Sequence, residues 1–129
     1  MNILISDELL NGTITNQFEI ELSENTITAQ ELIELRVNSE VESYNKKQTM
    51  YYKGLVDPTD AEKTLNGFKM KNQQNIDAEK QVYIALNAFQ KNGFFILVDD
   101  KQIEELEQRI VLHETSKVSF VKLTPLVGG

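Results

Sequence analysis

The chain has no cysteine, no tryptophan, one histidine and two prolines. The missing cysteine excludes a disulfide framework, a thiolate metal site and a cysteine nucleophile together. It also fits a cytoplasmic protein. Without tryptophan, six Phe and four Tyr must supply the aromatic bulk of a core drawn from 40% hydrophobic residues. No apolar run approaches the ~18 residues of a membrane span, so no membrane partner is expected. The opening Met1-Asn2-Ile3-Leu4-Ile5 lacks the basic region of a secretory signal and reads as a first strand instead. Gly-rich phosphate loops are missing too, because Gly12, Gly54, Gly67 and Gly93 stand alone.

What is present suits one domain over residues 1–123, since 129 residues can bury a real but modest core. The net charge of −7 is unevenly spread. Residues 1–45 carry nine acids against Arg36 alone, whereas residues 46–93 carry eight lysines against five acids. An acidic first third argues against nucleic acid, whose phosphates demand a basic face. It suits solubility and, secondarily, docking on a basic protein surface.

Asn2–Ser6 and Asn16–Leu22 read as strands, with Phe18, Ile20 and Leu22 on one face. Asn11-Gly12 is the tight turn that makes them a hairpin. Thr28 and Glu31 form a capping box ahead of a helix whose stripe is Ile33, Val37, Val41 and Tyr44, ending near Asn45. Residues 46–76 change character, with six lysines, many Asn and Gln, and a Val56-Asp57-Pro58 turn. They read as an irregular or mobile insertion in which Tyr51-Tyr52 packs over the core edge. Asp77 then caps a second helix over about 77–92, with Val82, Ala85, Leu86 and Phe89 on its apolar face and Asn92-Gly93 as its stop. Phe94–Val98 is a short apolar strand. Residues 101–110 fit either a helix through Ile103, Leu106 and Ile110, or a strand and turn lined by Ile103, Leu106 and Val111. Residues 118–123 form the last strand. A hairpin followed by a helical crossover implies a mixed sheet packed on a helix, an α+β fold.

Candidate catalytic groups are few. His113 lies beside Glu114 but between an apolar pair and a polar turn, which suits a surface or strand-end residue better than a general base. Asp99-Asp100 resembles a carboxylate pair, yet neighbours at a strand end point to opposite faces, so a turn is expected and no metal. Glu104, Glu105 and Glu107 read as a solvated face. The chain is therefore not expected to be an enzyme or to hold a cofactor.

The chemistry concentrates instead in Thr124-Pro125-Leu126-Val127-Gly128-Gly129. Two residues without side chains can lie extended and offer a terminal carboxylate to another protein's active site. Residues 124–129 therefore read as a flexible tail delivered by the last strand. The order of elements, closed by this tail, resembles the ubiquitin-like β-grasp superfamily. The Asn11-Gly12 hairpin and Thr28-capped helix resemble its first half. The Phe94–Val98 strand, Lys101-Gln102-Ile103-Glu104 and Val118–Gly129 resemble its second half. Residues 46–76, with the helix over 77–92 behind them, stand as an insertion. Pro125–Gly129 is similar to the sulfur carriers of molybdopterin and thiazole biosynthesis and to related prokaryotic modifiers. Leu126-Val127 replaces the arginines that precede Gly-Gly in ubiquitin.

This resemblance implies that an E1-like enzyme uses ATP to adenylate the Gly129 carboxylate, with Gly128 passing through a narrow channel. Leu126 and Val127 would serve as apolar anchors and Pro125 would stiffen the exit from the sheet. The expected function is a protein modifier conjugated to a target protein, with E2-like and deubiquitinase-like partners. A sulfur carrier ending in a thiocarboxylate is the alternative, and a non-covalent β-grasp interaction module is a third.

Overall fold

A computed structural model describes residues 1–47, 51–58, 61–64, 67–70 and 75–123. It is an α+β structure with a mixed five-stranded sheet and two helices. Contacts divide the chain into two compact units, Met1–Leu32 with Ala88–Gly129, and Ile33–Asn87.

The first unit is built on the sheet. β1 (Asn2–Leu9) and β2 (Ile14–Glu21) form the expected antiparallel hairpin, each longer at the turn than the alternation alone indicated. Gly12 takes φ +89° in the turn, a conformation that suits glycine, and the Asn11 Oδ1 accepts the Thr13 N–H at 2.9 Å. β3 (Thr26–Thr28) leads into α1 (Ala29–Lys47). The capping box forms as expected: Thr28 Oγ1 accepts the Glu31 N–H at 3.1 Å, while the Glu31 carboxylate accepts the Thr28 N–H at 3.1 Å. The two N–H groups just before Glu31 also have acceptors, the Gln108 and Leu106 carbonyls at 3.1 and 2.9 Å, so the first turn leaves none of these donors open.

Beyond the insertion the chain returns through α2 (Ala78–Gln90) to β7 (Phe94–Val98). Asn92, at φ +60°, supplies the left-handed residue that ends α2, and Gly93 N–H bonds back to the Ala88 carbonyl at 2.8 Å. The stop is thus made by Asn92, with Gly93 following it. β7 turns into β8 (Lys101–Ile103) through Asp99 and Asp100, at φ +49° and +68°. Two positive-φ residues in a two-residue loop match the twist of a hairpin, which gives this carboxylate pair its turn role. β9 (Arg109–Val111) pairs with β3, so residues 101–111 take the strand-and-turn alternative. Ile110, however, faces inward and Val111 is exposed, the reverse of the expected strand lining. β10 (Val118–Lys122) closes the sheet.

The strand order is β2-β1-β10-β7-β8, with β10 parallel to β1 and antiparallel to β7. Ile3, Ile5, Ile20, Ile96, Val118 and Phe120 are buried on one side of it, and Phe94 stacks obliquely between Phe89 and Phe120 at 5.8 and 6.0 Å. Burial of each such side chain contributes roughly 1.5–3 kcal/mol.

The second unit overturns the expectation of an irregular insertion for the residues described there. β4 (Tyr51–Tyr52), β5 (Ala61–Thr64) and β6 (Gly67–Met70) make an antiparallel sheet of order β4-β6-β5. Tyr52 is buried, with its ring edge-on to Tyr44 at 5.6 Å and tilted against Phe68 at 6.3 Å. α1 runs two residues past Asn45, whose side-chain amide bonds both the N–H and the carbonyl of Ile76 at 2.8 and 3.0 Å. Asp77 caps α2 through the Lys80 N–H at 3.3 Å. The most buried line of α2 in this unit passes through Gln81 and Ala85, whereas Val82 and Leu86 are half-buried.

Candidate functional site

The residues expected to carry the chemistry, Pro125, Leu126, Val127, Gly128 and Gly129, lie outside the described residues. What is described is the strand that leads to them and the sheet face beside it. β10 sits in the middle of the sheet, hydrogen-bonded on both sides. Val118 and Phe120 point into the core. Ser119 and Val121 point to the other face, where the register sets Ser119 beside Ser6 and Leu97, and Val121 beside Glu8 and Phe95. Strand alternation thus gives one strand two roles.

On that second face lies a shallow hollow of about 330 Å³. Leu9, Leu10, Phe95, Leu97 and Val121 supply its apolar lining, with Glu8 and Gln102 at its polar margin. Leu10 is 66% exposed, which a core residue would not be. Water is displaced cheaply from such a surface, so it suits contact with another protein's apolar side chains. Sequence reasoning missed this patch. Phe94–Val98 is apolar at every position, so composition alone could not separate Phe95 and Leu97, half-buried on the outer face, from Phe94 and Ile96 inside.

At the core-facing side, Lys122 Nζ stands 3.7 Å from Oδ2 of Asp7, a carboxylate that is almost fully buried. This pair joins β10 to β1 one residue before Leu123. The loop ahead of β10 is held as well: the Asp99 carboxylate accepts the Lys117 N–H at 2.9 Å, and the Asp99 N–H donates to the Lys117 carbonyl at 2.9 Å.

His113 is exposed, and its backbone N–H donates to Ser116 Oγ at 2.8 Å. Glu104, Glu105 and Glu107 are exposed. The Glu31 carboxyl is held below the usual carboxylate range, first by the Thr28 hydroxyl and then by the Thr28 N–H. Among the described residues no group of three or more His, Cys, Asp or Glu is placed to hold a metal ion, and no helix is long and apolar enough to cross a membrane.

Among the described residues, the second unit contains a buried ionic network. Arg36 is fully buried and its Nε donates to Glu40 Oε1 one helical turn on. Glu40 Oε2 accepts the Leu55 N–H at 3.1 Å and lies 3.5 Å from the Tyr52 hydroxyl. Burial, and then the Glu40 charge, push the Tyr52 hydroxyl far above the usual tyrosine range. Burial alone raises Tyr44, whose hydroxyl has no hydrogen-bond partner among the described residues. A tyrosine locked in its neutral form cannot act as a base near neutrality, so this network orders α1 against the 51–55 segment.

No protein family, curated protein or solved structure matches this chain.

Proposed function

We propose that this chain is a ubiquitin-like protein modifier of the β-grasp type, whose reactive group is the carboxylate of Gly129. The observation that carries the proposal is the strand order β2-β1-β10-β7-β8 with β10 parallel to β1. A β-grasp has this arrangement: an N-terminal hairpin, a helical crossover, and a final strand inserted beside the first. In this reading residues 124–129 continue the chain past a strand held on both sides, so a partner can grip the sheet while it pulls the tail into a channel.

In this reading the Gly129 carboxylate attacks the α-phosphate of ATP on an E1-like partner, releasing pyrophosphate and forming an acyl-adenylate. A nucleophile then displaces AMP, and a lysine amine of a target protein is the final acceptor. The chain itself is the acyl donor and supplies no catalyst. The Leu10–Phe95–Leu97–Val121 surface is the contact we assign to the activating partner. A sulfur carrier shares the first step, and the Pro125–Gly129 ending favours it. The ordered three-stranded sheet of the second unit favours the modifier, because it adds a recognition surface that a compact carrier does not need.

The test is an N-terminally tagged chain ending at Gly129, recovered under denaturing conditions from its native cells and digested with trypsin. Cleavage after Lys122 leaves the seven residues Leu123–Gly129 as a remnant on each modified lysine. Conjugation predicts that remnant on target peptides and its loss when Gly128-Gly129 is deleted. Finding only free chain with sulfur exchanged for one carboxyl oxygen would replace the modifier with the carrier.

A further inference from the structure

The five-stranded sheet has two edges of very different character. β8 is three residues long and opens with Lys101, which blunts it against further pairing. β2 is eight residues long, ends the sheet on its side, and contains neither proline nor lysine. Its one irregularity is the bulge that faces Asp7 and Glu8, which leaves residues 16–21 in regular register. Met1 and Leu22 exchange two backbone bonds, at 2.7 and 3.1 Å. Antiparallel pairs alternate, so Ile20, Phe18 and Asn16 turn their N–H and carbonyl groups toward β1. Gln17, Glu19 and Glu21 therefore turn theirs outward, and all three residues are exposed.

We infer that this edge of β2 receives an extended segment of a basic protein partner, added as a sixth strand. The backbone supplies three outward donors and three outward acceptors, and the side chains select the occupant. Glu19 and Glu21 project on the exposed face, beside strand positions that an incoming chain would fill. Phe18, half-buried, flanks the same edge on the other face. The matching segment alternates lysine or arginine with apolar residues. A second copy of this chain fits worse. Pairing two β2 edges in any antiparallel register that matches outward groups sets four glutamates along one seam on the same face, and like charges across strands repel. This inference stands apart from the chemistry of Gly129, because the edge is complete without residues 128–129.

The probe is an eight-residue capped peptide alternating valine and lysine, titrated into the isotope-labelled full chain at low salt. Its valine–glutamate counterpart is the control. Slowed amide exchange is expected at Gln17, Glu19 and Glu21. Asn16, Phe18 and Ile20, already bonded to β1, should not change. The lysine peptide should bind ~10-fold more tightly than the glutamate peptide, and the preference should collapse at ~1 M salt, where the screening length falls to ~3 Å. Glu19→Pro removes one outward N–H and no bond to β1, so it should abolish binding. The double substitution Glu19→Gln with Glu21→Gln should keep the fold and remove the preference for lysine. Deleting Gly128-Gly129 should leave every one of these results unchanged. Equal binding of the two peptides, protection confined to Phe95, Leu97 and Val121, or protection that grows with chain concentration without peptide would overturn the inference.

Discussion

Gly54→Ala offers the sharpest test of packing in the second unit. A Cβ built on Gly54 would lie 2.1 Å from Tyr52 Cε2, 2.3 Å from Cζ and 2.6 Å from the hydroxyl oxygen. The shortest of these is about 1.4 Å inside the ~3.5 Å at which carbon atoms attract. The ring cannot swing aside freely, because it is buried against Tyr44 and Phe68 and its hydroxyl lies beside Glu40. Overpacking of this kind costs roughly 1–3 kcal/mol. Loss of glycine's freedom in the unfolded chain offsets ~0.4–1 kcal/mol of that, leaving a net destabilisation of about 1–2 kcal/mol. The assay is urea unfolding followed by far-UV circular dichroism, with hydrogen exchange at residues 51–56 to locate the effect. A lower midpoint at constant slope is expected. Tyr52→Leu removes the clashing ring, so adding Gly54→Ala to it should cost about 1–2 kcal/mol less than Gly54→Ala does alone. A Gly54→Ala variant as stable as the parent, or one whose effect simply adds to that of Tyr52→Leu, would refute the packing argument.

Four further expectations follow from hydrogen bonds and burial elsewhere in the chain. Thr28→Ala removes the hydroxyl that caps α1 and should cost about 1 kcal/mol in the unfolding midpoint. The Glu31 carboxyl is depressed by the same box, so its contribution is complete above the ordinary carboxylate pKa and is lost as pH falls through the folded value. The gap between Thr28→Ala and parent should therefore narrow in acid, measured as midpoint against pH. Gln81→Met keeps the volume of a buried side chain but leaves the Val56 carbonyl without its 3.0 Å donor. About 1–3 kcal/mol of destabilisation by urea is expected. Glu40→Ala removes one acceptor each from Arg36, the Leu55 N–H and the Tyr52 hydroxyl and should cost ~3 kcal/mol in the same assay. Because Tyr44 and Tyr52 are held neutral in the folded chain, stability should fall as pH rises past the ordinary tyrosine value. Their tyrosinate absorbance should then appear together with unfolding.

The elements legible in the sequence are those whose signals are local. The Thr28–Glu31 box, the Asn11-Gly12 turn, the Asp77 cap and the bounded run Phe94–Val98 each fix a conformation within a few residues, and each is present. The 51–70 sheet escaped because its strands are two to four residues long, too short for alternation to register, and are paired non-locally. Tyr52 opposes Phe68, sixteen positions away in the chain. Gln81 and Arg36 escaped for a different reason. A polar side chain inside a helix reads as solvated, and partners set by the fold, among them the Val56 carbonyl for Gln81 and the Glu40 carboxylate for Arg36, make burial tolerable. Val111 misled because a three-residue strand gives too few positions to choose which face is inward.

The candidate site divides along the same line, and the division bears on the proposed function. In the proposed reading the tail needs no fold to be recognised, since Gly128 and Gly129 lack side chains. The surface that would present it does need the fold. Leu10 comes from a turn, Phe95 and Leu97 from β7, and Val121 from β10, and only the parallel placement of β10 beside β1 brings them to one face. A substitution at Leu97 or Val121 should therefore weaken activation while leaving Gly129 chemically intact. Deletion of Gly128-Gly129 should abolish conjugation while leaving partner docking on the sheet unchanged. A cell in which both changes had the same effect on docking would contradict the separation of grip from reaction on which the proposal depends.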